Sequence, residues 1–181
     1  SPDGVDRRAH LLTCTEEGEI VFADLRASPG GPPGGGKAAA PGEEDADNND
    51  ATPDYVQWMA ADHARPAVGL LPSPFVPGLV ASIGDWQFQL WRVTAATPVF
   101  RSPSSKAMMT GGAWSPTRAG MLFCARCDGQ IDAWDLTDSS FAPAMVLQGA
   151  PTSITSMSFL PTYPNQKQQL LATGDNLGNL H

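Results

Sequence analysis

Positive charge is scarce in this chain of 181 residues: 11 Lys and Arg stand against 19 Asp and Glu, a formal net charge of −8. Nucleic acid and acidic lipid are held by clustered cations, so the balance argues against direct electrostatic capture of either. Cysteine is also scarce, and its three copies are an odd number. No signal-peptide pattern and no apolar run of membrane-spanning length accompanies them, so a reducing, cytosolic-type compartment is expected, with no membrane partner. No segment holds a helical period; residues 60–67 could make one turn before Pro66 stops it. No Ser/His/Asp or Cys/His pairing with an orienting group occurs, and no phosphate-cradling glycine loop precedes a helix. The chain is therefore read as noncatalytic, with no cofactor.

What is present is a repeat. From Trp114 to Leu136 the string WSPTRAGMLFCARCDGQIDAWDL reads as turn, strand, tight turn, strand. Met121 to Ala125 is a short apolar strand, and Gln130 to Leu136 is a second one ending in Trp134-Asp135. Asp128-Gly129 between them suits a two-residue turn, because both central positions tolerate positive φ. Counted from Asp128, apolar residues fall at Ile131, Ala133, Trp134 and Leu136. The same offsets from Asp85 reach Phe88, Leu90, Trp91 and Val93, and from Glu17 they reach Ile20, Phe22, Ala23 and Leu25. Leu177-Gly178 begins a fourth copy. Pro-marked turns precede each one, at Pro2, Pro74, Pro116 and Pro161, and Asp85 to Asp128 spans 43 residues. A Trp-Asp strand end recurring at about 40–45 residues is the signature of a WD40 β-propeller blade. The fold expected is all-β.

Residues 27–54 break the pattern. A Gly/Pro tract (PGGPPGGG) runs into an acidic one (EEDADNND) without a large apolar side chain. Such a segment cannot bury enough surface to offset its ordering entropy, so a disordered insertion into the first blade is expected. Without it, roughly 150 residues remain, about three and a half blades. The expected layout is a first partial blade at 1–26, the insertion at 27–54, the rest of the first blade and the second at 55–103, a third at 104–149 and a fourth partial blade at 150–181. Ser1 is not an initiator Met and the chain stops in mid-strand, so a fragment of a larger, closed propeller is expected.

Three patterns invite a chemical reading. Cys124 and Cys127 form a Cys-x-x-Cys, but a zinc site needs four ligands and a thioredoxin motif needs a βαβ setting, so they read as core and turn residues. Asp45, Asp47, Asn49 and Asp50 resemble the start of a calcium loop, which then requires Gly and Glu where the chain has Asp50 and Val56. No metal is expected. His63, Asp85 and Trp91 match a hydrogen-bonded set that fixes WD40-like blades, with Asp128 and Trp134 their counterparts in the next. The Ser that commonly completes the set belongs four residues before the Asp, where this chain has Ala81, so the network is read as incomplete. Trp86, standing where other blades carry Gly, is either packed on its own blade or an interaction anchor. Topology puts the turns between second and third strands on one face, with Arg65 beside them. Candidate partner contacts are Arg65, Trp86, Arg126, Asp175 and Asn176.

The string HARPAVGLLPSPFVPGLVASIGDWQFQLW, from His63 to Trp91, resembles dynein intermediate chains, in which a Ser-Pro-Phe turn precedes Gly-Asp-Trp and a strand Trp. GGAWSPTRAGMLFCARCDGQIDAWDL resembles the next blade of that family, and QQLLATGDNLGNLH the one after. The likeness is strongest to the axonemal branch, in particular to intermediate chains of the two-headed inner-arm dynein, dynein f. It implies a scaffold whose propeller binds a dynein heavy-chain tail, beside other intermediate and light chains, in a complex that attaches to the axonemal doublet microtubules of cilia and flagella. Two other readings stay open: a cytoplasmic dynein intermediate chain carrying cargo, and a generic WD40 adaptor for peptides. Arg126 as the only basic residue in an identifiable turn of that face speaks against the adaptor.

Overall fold

The structure, a computed structural model, describes residues 10–25, 55–161 and 169–181. The expected insertion at 27–54, the calcium-like carboxylates within it and the turn at Pro2 lie outside the described residues. Every regular element among the described residues is a β-strand.

Four antiparallel sheets follow one another along the chain. β1 (His10–Cys14), β2 (Glu19–Asp24) and β3 (Val56–Ala61) form the first. β4 (Ala67–Pro72), β5 (Leu79–Gly84), β6 (Gln87–Arg92) and β7 (Phe100–Arg101) form the second. β8 (Met109–Trp114), β9 (Met121–Arg126), β10 (Gln130–Asp135) and β11 (Met145–Gln148) form the third. β12 (Ile154–Phe159) and β13 (Leu171–Asp175) begin the fourth, which Leu180 extends by a bridge to Gly174. This is the all-β, blade-by-blade architecture of a propeller. A shared defect marks the repeat: the first strand of each later sheet carries an irregularity in register at its start, at Ala67/Gly69, Met109/Gly111 and Ile154/Ser156.

Blades join through apolar side chains presented by the middle strands. Ile83, Phe88 and Leu90 of the second blade pack with Met109, Leu122, Cys124 and Trp134 of the third, and the Phe88 and Trp134 rings meet edge-on at 5.2 Å. Each such fully buried side chain contributes about 1.5–3 kcal/mol. Trp58 of the first blade stacks on Trp91 at 5.8 Å and donates its indole N–H to the Val93 carbonyl at 3.0 Å. Ala125 and Ile131 meet Ala150 and Ile154 across the next boundary.

The turns differ from the sequence expectation. Between β9 and β10 three residues intervene, not two, and only Gly129 has positive φ, at 82°. Its N–H reaches the Arg126 carbonyl at 3.2 Å, and the Gly18 and Gly178 turns repeat that bond. A three-residue hairpin of this kind needs one left-handed residue after an ordinary turn, which glycine supplies. The Asp85-Trp86 turn is the two-residue case, and its left-handed residue is Asp85, at φ 56°.

Candidate functional site

The shorter turn of the second blade brings its polar groups together. Ser82 on β5 pairs with Gln89 on β6, and its hydroxyl sits 2.7 Å from His63 Nε2. The Trp91 indole N–H donates to the same oxygen at 2.8 Å, leaving the Ser82 O–H free to donate to Nε2. Asp85 Oδ2 accepts the backbone N–H groups of Ala64 at 2.9 Å and Arg65 at 3.2 Å. All of these side chains are buried, so the hydroxyl satisfies two groups that would otherwise be desolvated without partners. Burial lowers the His63 pKa from its ordinary 6.5, against the opposing pull of Asp85 and Asp62.

The serine that the sequence left unplaced is therefore Ser82, in place of Ala81; it links His63 to Trp91, while Asp85 holds the backbone beside His63 and leaves its Oδ1 and His63 Nδ1 without partners. The reason is register. In the third blade, with its longer turn, Cys124 pairs with Asp132 and stands four residues before Asp128. Dropping one turn residue moves the equivalent position to three before Asp85, which is Ser82. The clue in the sequence is Trp86, because a turn without Gly at that place does not take the three-residue form.

The third blade solves the same problem differently. Cys124 is buried, and burial pushes its thiol pKa up. The Trp134 indole N–H has no hydrogen-bond partner. Arg126 extends back along the sheet to Asp132 Oδ1 at 2.9 Å, to Gln130 Oε1 at 2.9 Å and to both carboxylate oxygens of Asp128. Burial works to raise the Asp128 carboxyl, and the Arg126 guanidinium together with backbone N–H donors such as Gln130 outweighs it and holds the carboxyl below its usual range. Arg126 is only 5% exposed. Its place as a candidate partner contact is corrected: its donors are spent inside the blade.

Asp175 is corrected for the same reason. It is buried, and its two oxygens accept from Leu177 N, Asn179 N, Asn179 Nδ2 and His181 Nε2, at 2.8 to 3.1 Å. These donors hold its carboxyl far below the usual carboxylate range. Arg65, Trp86 and Asn176 remain exposed. The turns of the first three blades also clasp the segment entering the following blade: His63 N reaches the Gly18 carbonyl, Ser105 N that of Trp86, and Ala150 N that of Gly129, while within the fourth blade Asn176 N reaches the Ser153 carbonyl. This clasping aligns the turns along one edge of the blades. Among the described residues, no group of three or more His, Cys, Asp and Glu side chains is arranged to hold a metal ion, and Cys14, Cys124 and Cys127 are all free thiols.

Residues 5–181 match the family model described as the dynein axonemal intermediate chain 3 WD40 domain. Dynein axonemal intermediate chain 3 of Homo sapiens is 30% identical over 169 residues, covering 92% of this chain and 17% of that protein. The 70 kDa intermediate chain of the Chlamydomonas reinhardtii flagellar outer arm is 33% identical over 107 residues, 58% of this chain and 19% of that one. The chain thus spans about a sixth to a fifth of the length of these relatives. Among solved structures, a chain of the mitotic checkpoint complex superposes with a TM-score of 0.65 at 19% identity, covering 96% of this chain and 44% of that one. The designed protein Ika4 gives 0.65 at 13% identity, with 96% and 84% covered. At these identities the two structures speak for the propeller fold alone.

Proposed function

This chain belongs to the family of dynein axonemal intermediate chain WD40 domains, and from that premise we propose that it is the propeller part of a noncatalytic subunit of an axonemal dynein. The single observation carrying the reading is the family match, which runs from residue 5 to the last residue. In this role the blades are a rigid mount. They grip the tail of a dynein heavy chain, and the full-length protein adds contacts to other intermediate and light chains. The assembled motor sits on the axonemal doublet microtubules of a cilium or flagellum.

Physical chemistry supports a mount. Arg126 and Asp175 spend their polar atoms on the blade itself, and His63 and Asp85 each commit one, which rigidifies the turns. Arg65, Trp86 and Asn176 face outward from the same row of turns, and an aromatic with an Arg nearby is the side-chain chemistry that anchors protein interfaces. These three are the proposed heavy-chain contacts. Membership of an inner arm of the dynein f type is the finer part of the proposal. A named relative comes from a flagellar outer arm, so arm identity has to be read from the partners.

The test is affinity purification of the full-length protein from ciliated and nonciliated cells, with partners identified by mass spectrometry. Axonemal heavy chains found only in the ciliated sample are the expected result, and the heavy chains recovered assign the arm. Cytoplasmic dynein in both samples would move the protein to the cargo-transport branch. Absence of every dynein chain from both would overturn the reading in favour of a peptide-binding adaptor.

A further inference from the structure

A cleft opens between the third blade and the connection that enters it from β7. β7 holds two residues where β11 holds four, so the outer part of the third blade faces no strand of equal length. Its volume is about 490 Å³, within the roughly 300–1,000 Å³ of ligand pockets. Trp134, Phe141, Pro143 and Val146 line it from the third blade, and Pro103 and Lys106 from the connection into β8. One wall is thus the third sheet with its β10–β11 loop, and the other is the β7–β8 connection.

The lining is lopsided in a way that selects an occupant. Phe141 is 85% exposed and Val146 48%, and neither packs into a core cluster. Arg126 and Asp132 also border the cleft, but they are buried and bonded to each other, and recruiting an outside charge would break that pair at high cost. Lys106 is exposed and makes no ion pair with any described residue. The uncompensated charge of the cleft is thus one cation beside an apolar wall, on a chain whose net charge is −8. β11 is also the edge of its sheet, so its outer N–H and C=O groups flank the opening.

We propose that this cleft binds an extended segment of a partner polypeptide that carries a large apolar side chain with an Asp or Glu within a few residues of it. The apolar side chain fills the space among Phe141, Pro143 and Val146. The carboxylate meets Lys106, and the segment's backbone can pair along β11 in the manner of an added strand. The overall negative charge repels acidic segments elsewhere, so Lys106 sets where such a segment docks. The cleft adjoins the turn face proposed for the heavy chain, since Ser105 in its lining bonds the Trp86 carbonyl, but the proposal does not depend on that assignment.

The test is selection of a random twelve-residue peptide library on the purified full-length protein, followed by fluorescence-polarisation titration of the enriched peptides. Enriched peptides are expected to share the apolar-plus-acid pattern. Phe141→Ser should weaken them about tenfold. Lys106→Glu should weaken them about three- to fivefold, less at high salt, and a peptide with its acid changed to Lys should recover on that variant. Both residues are exposed, so neither change threatens folding, and an unchanged thermal midpoint checks this. Failure to enrich any peptide, enrichment of basic peptides, or titrations indifferent to both substitutions would each overturn the proposal.

Discussion

The Trp91 indole donates to the Ser82 hydroxyl at 2.8 Å, whereas the equivalent indole of Trp134, one blade later, has no acceptor. The two tryptophans occupy the same place in their strands, paired with Val80 and Leu122, and differ in the residue two positions further along the neighbouring strand, Ser82 in one blade and Cys124 in the other.

Ser82→Ala should therefore cost more than a surface serine does. It leaves the Trp91 N–H and His63 Nε2 buried without partners, and each such orphan costs about 1–3 kcal/mol. Urea unfolding of the full-length protein measures it. A loss below 1 kcal/mol would mean that water replaces the hydroxyl.

The reciprocal change, Cys124→Ser, should stabilise the third blade by about 0.5–1 kcal/mol, by giving the Trp134 N–H an acceptor. A loss of stability in the same assay would show that the hydroxyl does not reach the indole.

Acid should weaken the protein through His63. Its pKa is lowered in the folded chain from 6.5, so below that value the unfolded chain binds the proton more readily. The stability contributed by neutral His63 is present above pH 6.5 and is lost as pH falls below it, with a slope of at most about 1.4 kcal/mol per pH unit. Unfolding free energies of wild type and His63→Gln between pH 5 and 8 should converge on the acid side. Parallel curves would assign the pH dependence to another group.

Gly129→Ala and Gly78→Ala separate backbone strain from steric clash. Their φ values are 82° and 74°, but a Cβ on Gly129 would run into the Ala150 carbonyl oxygen, while one on Gly78 would meet only a Val93 methyl at 3.3 Å. Gly78→Ala should cost about 1–2 kcal/mol, chiefly the left-handed penalty. Gly129→Ala should cost clearly more, because the segment entering the fourth blade must move. Equal thermal shifts would contradict the close approach.

Arg126→Ala should destabilise the protein by about 3–5 kcal/mol, since it strands the buried Asp132 carboxylate. Trp86→Ala should leave the thermal midpoint within about 1 °C and reduce heavy-chain recovery. The opposite pattern would exchange their structural and contact roles.

Blade order, strand positions and the family were legible in the sequence because they rest on local signals: Pro-marked turns and apolar residues at the same offsets from each turn, with a Trp-Asp strand end at Trp134-Asp135. The turn lengths were not. Asp128-Gly129 and Asp85-Trp86 look alike when aligned on the strand that follows, and only pairing with the strand before shows that one turn is longer by a residue. That single residue hid Ser82.

The sequence by itself determined that this chain is a run of propeller blades, because the period of apolar residues dictates which face of each strand is buried. Which polar residues face outward was decided only by tertiary structure. Arg126 and Asp175 look available in the sequence, yet burial makes a free charge costly, and each turns inward to partners that only the folded turn brings within reach. Trp86 stays outside, where its two-residue turn holds it.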